Sequence, residues 1–238
     1  DLQVVFATSA GTVRRNKLSD FTNVMRNGKI AMKFDEENAD VTLINARIAS
    51  NDDDVMLVTN SGRAIRFRAT DVRVFNSRAS IGVRGIKLIG DDKVVSMSII
   101  RHFNAASEER TAYLKMRRAM AGLADEVSED DEEAAPADPN FSNERYVEMS
   151  ASENLILTIT ANGAGKLSSS HDYPLRGRGG MGVTAMDKAM RGGEIVASFP
   201  VEMEDQIMLA TSNCPSSIQR INFGKSRGGW QPPYSGVK

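Results

Sequence analysis

An internal repeat of about 51 residues constrains the fold of this 238-residue chain more than any other feature. An apolar residue followed by threonine recurs four times, and these threonines lie 51, 101 and 51 residues apart. A second motif begins with a glycine, and those glycines are 54, 100 and 54 residues apart. The landmarks are Thr8, Thr59, Thr160 and Thr211 for the first motif, and Gly28, Gly82, Gly182 and Gly236 for the second. Because two independent motifs keep nearly the same spacing, the repeat is not a coincidence.

Each unit is predicted to contain about four short β-strands. An apolar run precedes every threonine, and in three units a glycine three residues later indicates a tight hairpin turn. A single four-stranded blade exposes two faces, and stacking neighbouring blades buries them. The predicted fold class is therefore all-β: one propeller-like domain of about four four-stranded blades. Its units are placed at about 1–50, 51–100, 151–203 and 204–238 within the single domain 1–238.

The segment 101–150 carries neither motif and is interpreted as an insertion with a short helix and an acidic linker. From Ser107 to Leu123 the pattern is helical, and one apolar stripe is formed by Tyr113, Met116, Met120 and Leu123. We expect this stripe to pack on the blades; the alternative is a helix that binds a partner. The following residues 125–138 hold eight acidic and no basic residues, a composition typical of a disordered linker.

The net charge of −1 is the sum of an acidic segment and a basic remainder of the chain. Without residues 125–138 the chain has 30 basic and 23 acidic residues, a net charge of +7. A near-neutral total therefore does not exclude a nucleic-acid partner. The acidic segment is long enough to compete with DNA for a basic surface, although a plain solvated linker is the simpler interpretation.

Basic residues recur at matching places in the units, after the first motif and around the second. On a strand, Arg66 and Arg68 alternate with Ile65 and Phe67, which predicts opposite faces for the two pairs. Repeated positions in an array of blades lie on the same rim, where they would neutralise successive phosphates without reading bases. The alternative is an ordinary solvated surface. The candidate DNA-binding residues are Arg14, Arg15, Lys17, Arg26, Lys29, Arg63, Arg66, Arg68, Arg78, Arg84, Lys87, Lys166, Arg176, Arg178, Arg220, Lys225 and Arg227.

Other chemistry is not indicated. Two histidines and one cysteine make a metal site improbable, and we expect no catalytic residues, metal or cofactor in this region. The lone Cys214 excludes an internal disulfide and suggests a reducing compartment. No apolar run is long enough for a membrane span and no signal peptide is evident, so no membrane partner is expected.

Three phrases, at residues 7–15, 61–67 and 82–88, resemble the C-terminal domain of DNA gyrase A. The resemblance implies a β-pinwheel, in which neighbouring blades exchange strands, and a module that wraps double-stranded DNA to support ATP-dependent negative supercoiling. The implied partners are the rest of gyrase A and the ATPase component gyrase B. ATP and Mg²⁺ would be used elsewhere in the holoenzyme, a type IIA topoisomerase (an isomerase) of the bacterial cytoplasm associated with the nucleoid.

The chain departs from that family in several respects, including its glycine-arginine box and its number of units. Its nearest match to the family's glycine-arginine box is 177–182, which lacks the glutamine and has Met181 in place of a basic residue. Four units are also fewer than the usual six, so the resemblance is to a partial set of blades. Two alternatives remain open from the residues: the corresponding C-terminal domain of topoisomerase IV, and a propeller-type scaffold that binds proteins.

Overall fold

The computed structural model describes residues 2–34, 40–120, 137–188, 192–211 and 214–219, with side chains described as far as Ile207. The described chain is mostly antiparallel β-sheet, as predicted. Its strands are β1 Gln3–Thr8, β2 Thr12–Lys17, β3 Leu43–Ala49, β4 Asp53–Thr59, β5 Arg63–Arg68, β6 Val83–Arg84, β7 Val94–Arg101, β8 Leu155–Thr160, β9 Gly165–Ser169, β10 Val183–Thr184, β11 Ile195–Val201, β12 Ile207–Thr211 and β13 Cys214–Gln219. The two α-helices among these residues are α1 Ser107–Met120 and α2 Asn143–Ser152.

The strands form three blades and a hairpin. The first blade has the strand order β3-β1-β2-β6, the second β10-β5-β4-β7 and the third β11-β8-β9, while β12 pairs with β13. The predicted strands before each threonine are confirmed as β1, β4, β8 and β12. Residues 220–238, which include the rest of the fourth predicted unit, lie outside the described residues.

The first motif closes a hairpin in each blade. Gly11, Gly62 and Gly163 adopt positive φ values of 76°, 92° and 81°, which confirms the predicted turns. The threonine hydroxyl accepts a hydrogen bond from the backbone N–H four residues later, and this contact recurs in all three blades. The donors are the N–H groups of Thr12 at 3.3 Å, Arg63 at 3.1 Å and Ala164 at 3.1 Å. The repeated threonine therefore stabilises its own hairpin turn through this hydrogen bond.

The second motif supplies a strand to the preceding blade. Strand β6 pairs with β2, and β10 pairs with β5, so each four-stranded blade is completed by the next unit of the sequence. A Cβ atom at Gly82 would lie 2.4 Å from the carbonyl oxygen of Val13, and one at Gly182 would lie 2.2 Å from that of Ala64. Only glycine allows these approaches. The exchange of strands between neighbouring blades agrees with a pinwheel.

The blades pack face to face and bury both sides of their central strands. Along β4, Leu57 belongs to the core shared with the first blade, and Met56 to the core shared with the third. Full burial of such a side chain stabilises the fold by about 1.5–3 kcal/mol. At the inner edge of the blades, the hydroxyl of Ser98 donates to the carbonyl of Ser198 on the neighbouring inner strand at 3.5 Å. The opposite, outer edge is the exchanged strand.

The insertion contains two helices. The predicted helix is confirmed as α1, and its stripe is divided, since Tyr113 is 1% exposed and Met120 is 64% exposed. Leu123 and most of the acidic segment lie outside the described residues. Helix α2 was not predicted; it begins after Ser142, whose hydroxyl accepts from the Arg145 N–H at 3.2 Å. Within the described ranges, no helix is long and apolar enough to cross a membrane.

Candidate nucleic-acid interface

Four exposed basic residues meet where the outer edges of the first and second blades join. We call them the basic rim: Arg84, Lys87, Arg176 and Arg178. Arg84 lies on the exchanged strand β6, opposite Thr12, and Lys87 follows that strand. Arg176 and Arg178 lie in the loop that leads to the next exchanged strand, β10. The outer edge therefore presents basic residues from two consecutive units.

Backbone contacts hold the two halves of the rim together. The N–H of Gly179 donates to the carbonyl of Gly85 at 2.6 Å, and the N–H of Lys87 donates to that of Gly180 at 2.8 Å. The Arg178 guanidinium donates from Nε to the carbonyl of Asp71 at 2.9 Å and from Nη1 to that of Arg84 at 3.0 Å. The loop that matches the glycine-arginine box, residues 177–182, is thus fastened to the preceding exchanged strand.

The described residues provide no ion pair to the rim. In the part of the chain that the structure describes, no carboxylate forms an ion pair with any of the four rim residues. A guanidinium has five N–H donors, so Arg178 keeps donors beyond its two backbone contacts. The geometry suits a polyanion that runs along the outer edges of successive blades.

Three of the predicted DNA-binding arginines are buried, which corrects the expectation that their side chains lie on the surface. Arg14 is fully buried, and Arg15 and Arg66 are each 5% exposed. The alternation along β5 is as predicted, but the neighbouring blade covers the face that carries Arg66. Burial lowers the pKa of Arg14 and of Arg15 from its ordinary value, and the nearby Arg78 lowers that of Arg14 further.

The buried arginines bind protein groups. Arg14 donates to the carbonyls of Ser77, Arg78 and Ser80, and so holds the loop that precedes β6. Arg66 forms an ion pair with Asp54 at 2.8 Å and donates from Nη1 to the carbonyl of Ser170 in the third blade, also at 2.8 Å. These contacts position the blades and the rim loop, and they leave the guanidinium groups turned away from solvent.

The remaining candidates are spread over the surface. Lys17, Arg26 and Arg63 are exposed. The partly buried candidates are Lys29, Arg68, Arg78 and Lys166. Lys29 donates to the carbonyl of Asn23 at 3.0 Å, and Lys166 donates to the carbonyl of Ala185 at 3.3 Å. Arg220, Lys225 and Arg227 lie outside the described residues. Among the candidates that the structure describes, contacts between their loops join Arg84 and Lys87 to the loop of Arg176 and Arg178.

Sequence reasoning missed two basic residues near the rim. Arg73 is exposed, and its guanidinium stacks over the Phe75 ring at 4.1 Å. Arg110 lies on α1, and its pKa is lowered mainly by burial and further by the charge of Arg176. The helical spacing of Arg110 and Tyr113 was a usable signal, because residues three apart share a helix face.

Among the described residues, no cluster of three His, Cys, Asp or Glu side chains could hold a metal ion. The expectation that this region needs no cofactor remains a prediction.

The strand exchange and the basic rim define a class: a propeller-like β-repeat protein whose outer edge is cationic. A model of the family described as DNA gyrase C-terminal domain, beta-propeller, matches residues 3–48, 53–101 and 154–202. The chain belongs to this family.

Sequence relatives point to the same family. The DNA gyrase A protein of Granulibacter bethesdensis is 44% identical over 222 residues, which cover 88% of this chain and 23% of the relative. That of Rickettsia bellii is 38% identical over 216 residues, covering 90% of this chain and 23% of the relative. The chain thus spans about a quarter of the length of these bacterial relatives.

Solved structures share the fold. The C-terminal domain of DNA topoisomerase IV superposes with a TM-score of 0.64 at 16% identity, over 95% of this chain and 55% of that one. The DNA gyrase A C-terminal domain gives 0.58 at 21% identity, over 91% and 54%. Both confirm the β-pinwheel type of architecture.

Proposed function

We propose that this chain is a DNA-binding and DNA-wrapping module of gyrase A, and that duplex DNA follows the basic rim. The observation that carries the proposal is the junction at Arg84, Lys87, Arg176 and Arg178, where backbone contacts hold exposed cations from two units together and no carboxylate of the described residues forms an ion pair with them. Phosphates of a duplex are spaced regularly, and each neutralised phosphate releases counterions.

Wrapping is supported by the arrangement of the rim. Bending a duplex of 20–30 base pairs by 40–90° costs roughly 1–6 kcal/mol, and contacts distributed along a curved edge offset that cost. Because the rim residues lie on an exchanged strand or in the loops beside one, each added unit extends the same edge. DNA would be read through its backbone, without preference for sequence.

In the whole enzyme, this module would present a DNA segment for strand passage. The partners would be the rest of gyrase A and the ATPase component gyrase B, which with ATP and Mg²⁺ would supply the energy for negative supercoiling. The named sequence relatives are gyrase A proteins, which favours gyrase over topoisomerase IV. The enzyme would act in the bacterial cytoplasm at the nucleoid.

DNA binding is tested by titrating a fluorescent 40-base-pair duplex with the chain at 50 to 200 mM salt. We expect the affinity to fall steeply, with a slope of log K against log salt near −0.9 for each phosphate contacted. Affinity that is absent, or independent of salt, would contradict the proposal. Salt-insensitive retention of a protein without retention of DNA would favour the scaffold alternative.

Wrapping is tested separately by ligating nicked circular DNA in the presence of the chain. After deproteinisation, wrapping leaves a positive shift in linking number that grows with protein concentration. Bovine serum albumin at equal concentration serves as the control. Binding without any shift would retain the DNA-binding part of the proposal and remove the wrapping part.

A further inference from the structure

The guanidinium of the exposed Arg73 is held in place by an aromatic ring. Its Cζ atom lies 4.1 Å from the centroid of the Phe75 ring, and Phe75 is only 4% exposed. A guanidinium that already stacks on an aromatic face loses less freedom when it binds a ligand than a side chain that moves freely in water. Arg73 is therefore a surface cation that is oriented before any partner binds.

The Phe75 residue is in turn attached to strand β2 of the first blade. Its N–H donates to the carbonyl of Arg15 at 2.8 Å, and its carbonyl accepts from Nδ2 of Asn16 at 2.7 Å. The buried Arg14 places its Cζ atom 5.7 Å from the centroid of the same ring and donates from Nε to Oδ1 of Asn16 at 2.8 Å. These contacts fix the ring that supports Arg73.

A direct contact joins this position to the basic rim. Arg178 donates from Nε to the carbonyl of Asp71 at 2.9 Å, and Arg73 follows Asp71 by two residues. Because consecutive Cα atoms are 3.8 Å apart, the Cα atom of Arg73 lies within about 13 Å of that Nε. The backbone between them is extended at Val72, which is fully buried, so the exposed Arg73 is on the opposite, outward side. Arg73 therefore lies beside the basic rim.

The stacked guanidinium keeps its hydrogen-bond donors for a ligand. In the ranges that the structure describes, no carboxylate forms an ion pair with Arg73. Asp71, the nearest carboxylate in sequence, contacts Arg178 through its backbone carbonyl. Stacking on Phe75 covers one face of the group, whereas the N–H donors point outward in its plane. Two parallel N–H donors match two oxygens of a phosphate.

We propose that Arg73 binds one phosphodiester of the DNA that follows the basic rim, and that Phe75 is the positioning residue that orients its guanidinium. This proposal rests on the proposed DNA-binding function and adds to it a contact anchored on the first blade. The ligand is a DNA backbone phosphate, because Arg73 lies beside the rim residues proposed to bind the same polyanion.

The first test compares two charge-neutralising variants. R73Q removes the proposed contact, and R101Q removes an exposed charge on β7, the inner-edge strand of the second blade. With the 40-base-pair duplex at 50 to 200 mM salt, we expect R73Q to reduce the magnitude of the salt slope by about 1 and R101Q to leave it unchanged. R73K, which keeps the charge, should retain the wild-type slope.

The second test asks whether Phe75 acts through Arg73. F75L keeps an apolar side chain in the core and removes the aromatic face, so we expect it to lower affinity about two- to five-fold with the wild-type slope. In the R73Q background, F75L should cause no further loss of affinity. Circular dichroism checks that each variant is folded. An equal loss in both backgrounds would show that Phe75 is only structural, and would overturn its positioning role.

The wild-type chain gives a readout that does not depend on how the variants fold. Phenylglyoxal modifies exposed arginines, and mass spectrometry of peptides measures its extent at Arg73 and Arg101. The 40-base-pair duplex should protect Arg73 and leave Arg101 reactive. Equal salt slopes of R73Q and R101Q, or no protection of Arg73 while the chain binds DNA, would overturn this inference alone. Absence of salt-dependent binding by the wild type would overturn the proposed function itself.

Discussion

Arg66 donates from Nε to Oδ2 of Asp54 at 2.8 Å, and the pair is buried, with Asp54 fully enclosed and Arg66 5% exposed. His102 approaches the same carboxylate at 3.0 Å, and Arg66 also reaches the carbonyl of Ser170. An arginine of the repeated basic set therefore serves as a link between the second and third blades. This separates its role from that of the exposed rim.

Replacing Arg66 should destabilise the fold. Arg66→Ala leaves Asp54 buried without its main partner, and breaking such a pair costs about 3–5 kcal/mol. Arg63→Ala, at an exposed position on the same strand, should stay within about 0.5 kcal/mol of the wild type. Urea unfolding measures both. Equal stability of the two variants would show that the buried pair contributes nothing.

Neutralising the rim should weaken DNA binding without weakening the fold. Arg84→Gln and Lys87→Gln should each reduce the magnitude of the salt slope by about 1 and lower affinity for all sequences alike. Arg47→Gln is the matched control, because Arg47 is exposed on β3 at the inner edge of the first blade. Anisotropy titrations over a salt series provide the measurement. A slope change in the control as large as in the rim variants would remove the rim from the proposed DNA path.

The exchange glycines offer a test of strand exchange. Gly28, Gly82 and Gly182 occupy equivalent places and all have positive φ. At Gly28 nothing lies within 4 Å of an added Cβ. Gly28→Ala should therefore lower the free energy of unfolding only by the cost of placing alanine at a positive φ, about 1–2 kcal/mol. At Gly182 the added atom would meet the Ala64 backbone at 2.2 Å. We expect Gly182→Ala to cost about 3 kcal/mol more, near the upper end for overpacking. Similar values for both variants in urea unfolding would contradict the observed pairing of β10 with β5.

Acid should loosen the insertion. Burial lowers the pKa of His171 below its ordinary 6.5, so the unfolded chain binds more protons than the folded one as the pH falls through 6.5. Stability should therefore be complete above this value and decline as the pH is lowered toward the depressed folded-state pKa. The ion pair of Glu109 with Arg145 titrates separately, since the lowered pKa of Glu109 places its loss below its ordinary 4.5.

The measurement is the unfolding free energy between pH 8 and pH 5. His171→Gln should lower stability at pH 8 and flatten the decline between pH 6.5 and pH 5. A wild-type profile that is flat over this interval, or a variant that keeps the full decline, would contradict the assignment to His171.

The acidic segment should inhibit DNA binding. Residues 125–138 carry eight carboxylates close in sequence to α1, and we expect them to compete with phosphates for basic residues. Deleting the segment should tighten binding at 50 mM salt and have less effect at 200 mM. A neutral Gly-Ser segment of equal length controls for chain length. If the neutral replacement and the wild type bind equally at low salt, the segment is only a linker.

Local features of the fold were predictable because their causes are local. The hairpins follow from a threonine that clamps its turn and a glycine with positive φ, and both can be read from the repeated motif. Helix α1 follows from its apolar stripe. Helix α2 was missed because its sequence is largely polar and Val147 is exposed, so it presents no continuous stripe.

The alternation of apolar and basic residues along a strand could not predict that both faces of a blade are buried. The pattern along β5 separates Arg66 from Ile65, yet it cannot indicate that a further blade covers the arginine side. Contacts between blades depend on register across long separations, which a single sequence does not specify.

Strand exchange also determines how long each blade stays incomplete while the chain is synthesised. Strand β2 pairs with β6, and Thr12 lies opposite Arg84 in that pairing. The edge of the first blade therefore stays unpaired while roughly 70 further residues are translated. At 5–20 residues per second this lasts roughly 4–14 s. The second blade waits for β10 across the whole insertion, roughly 120 residues from Ala64 to Val183, or about 6–24 s. An unpaired edge strand is a template for aggregation, and the insertion of this chain lengthens the time during which β5 is exposed on the ribosome.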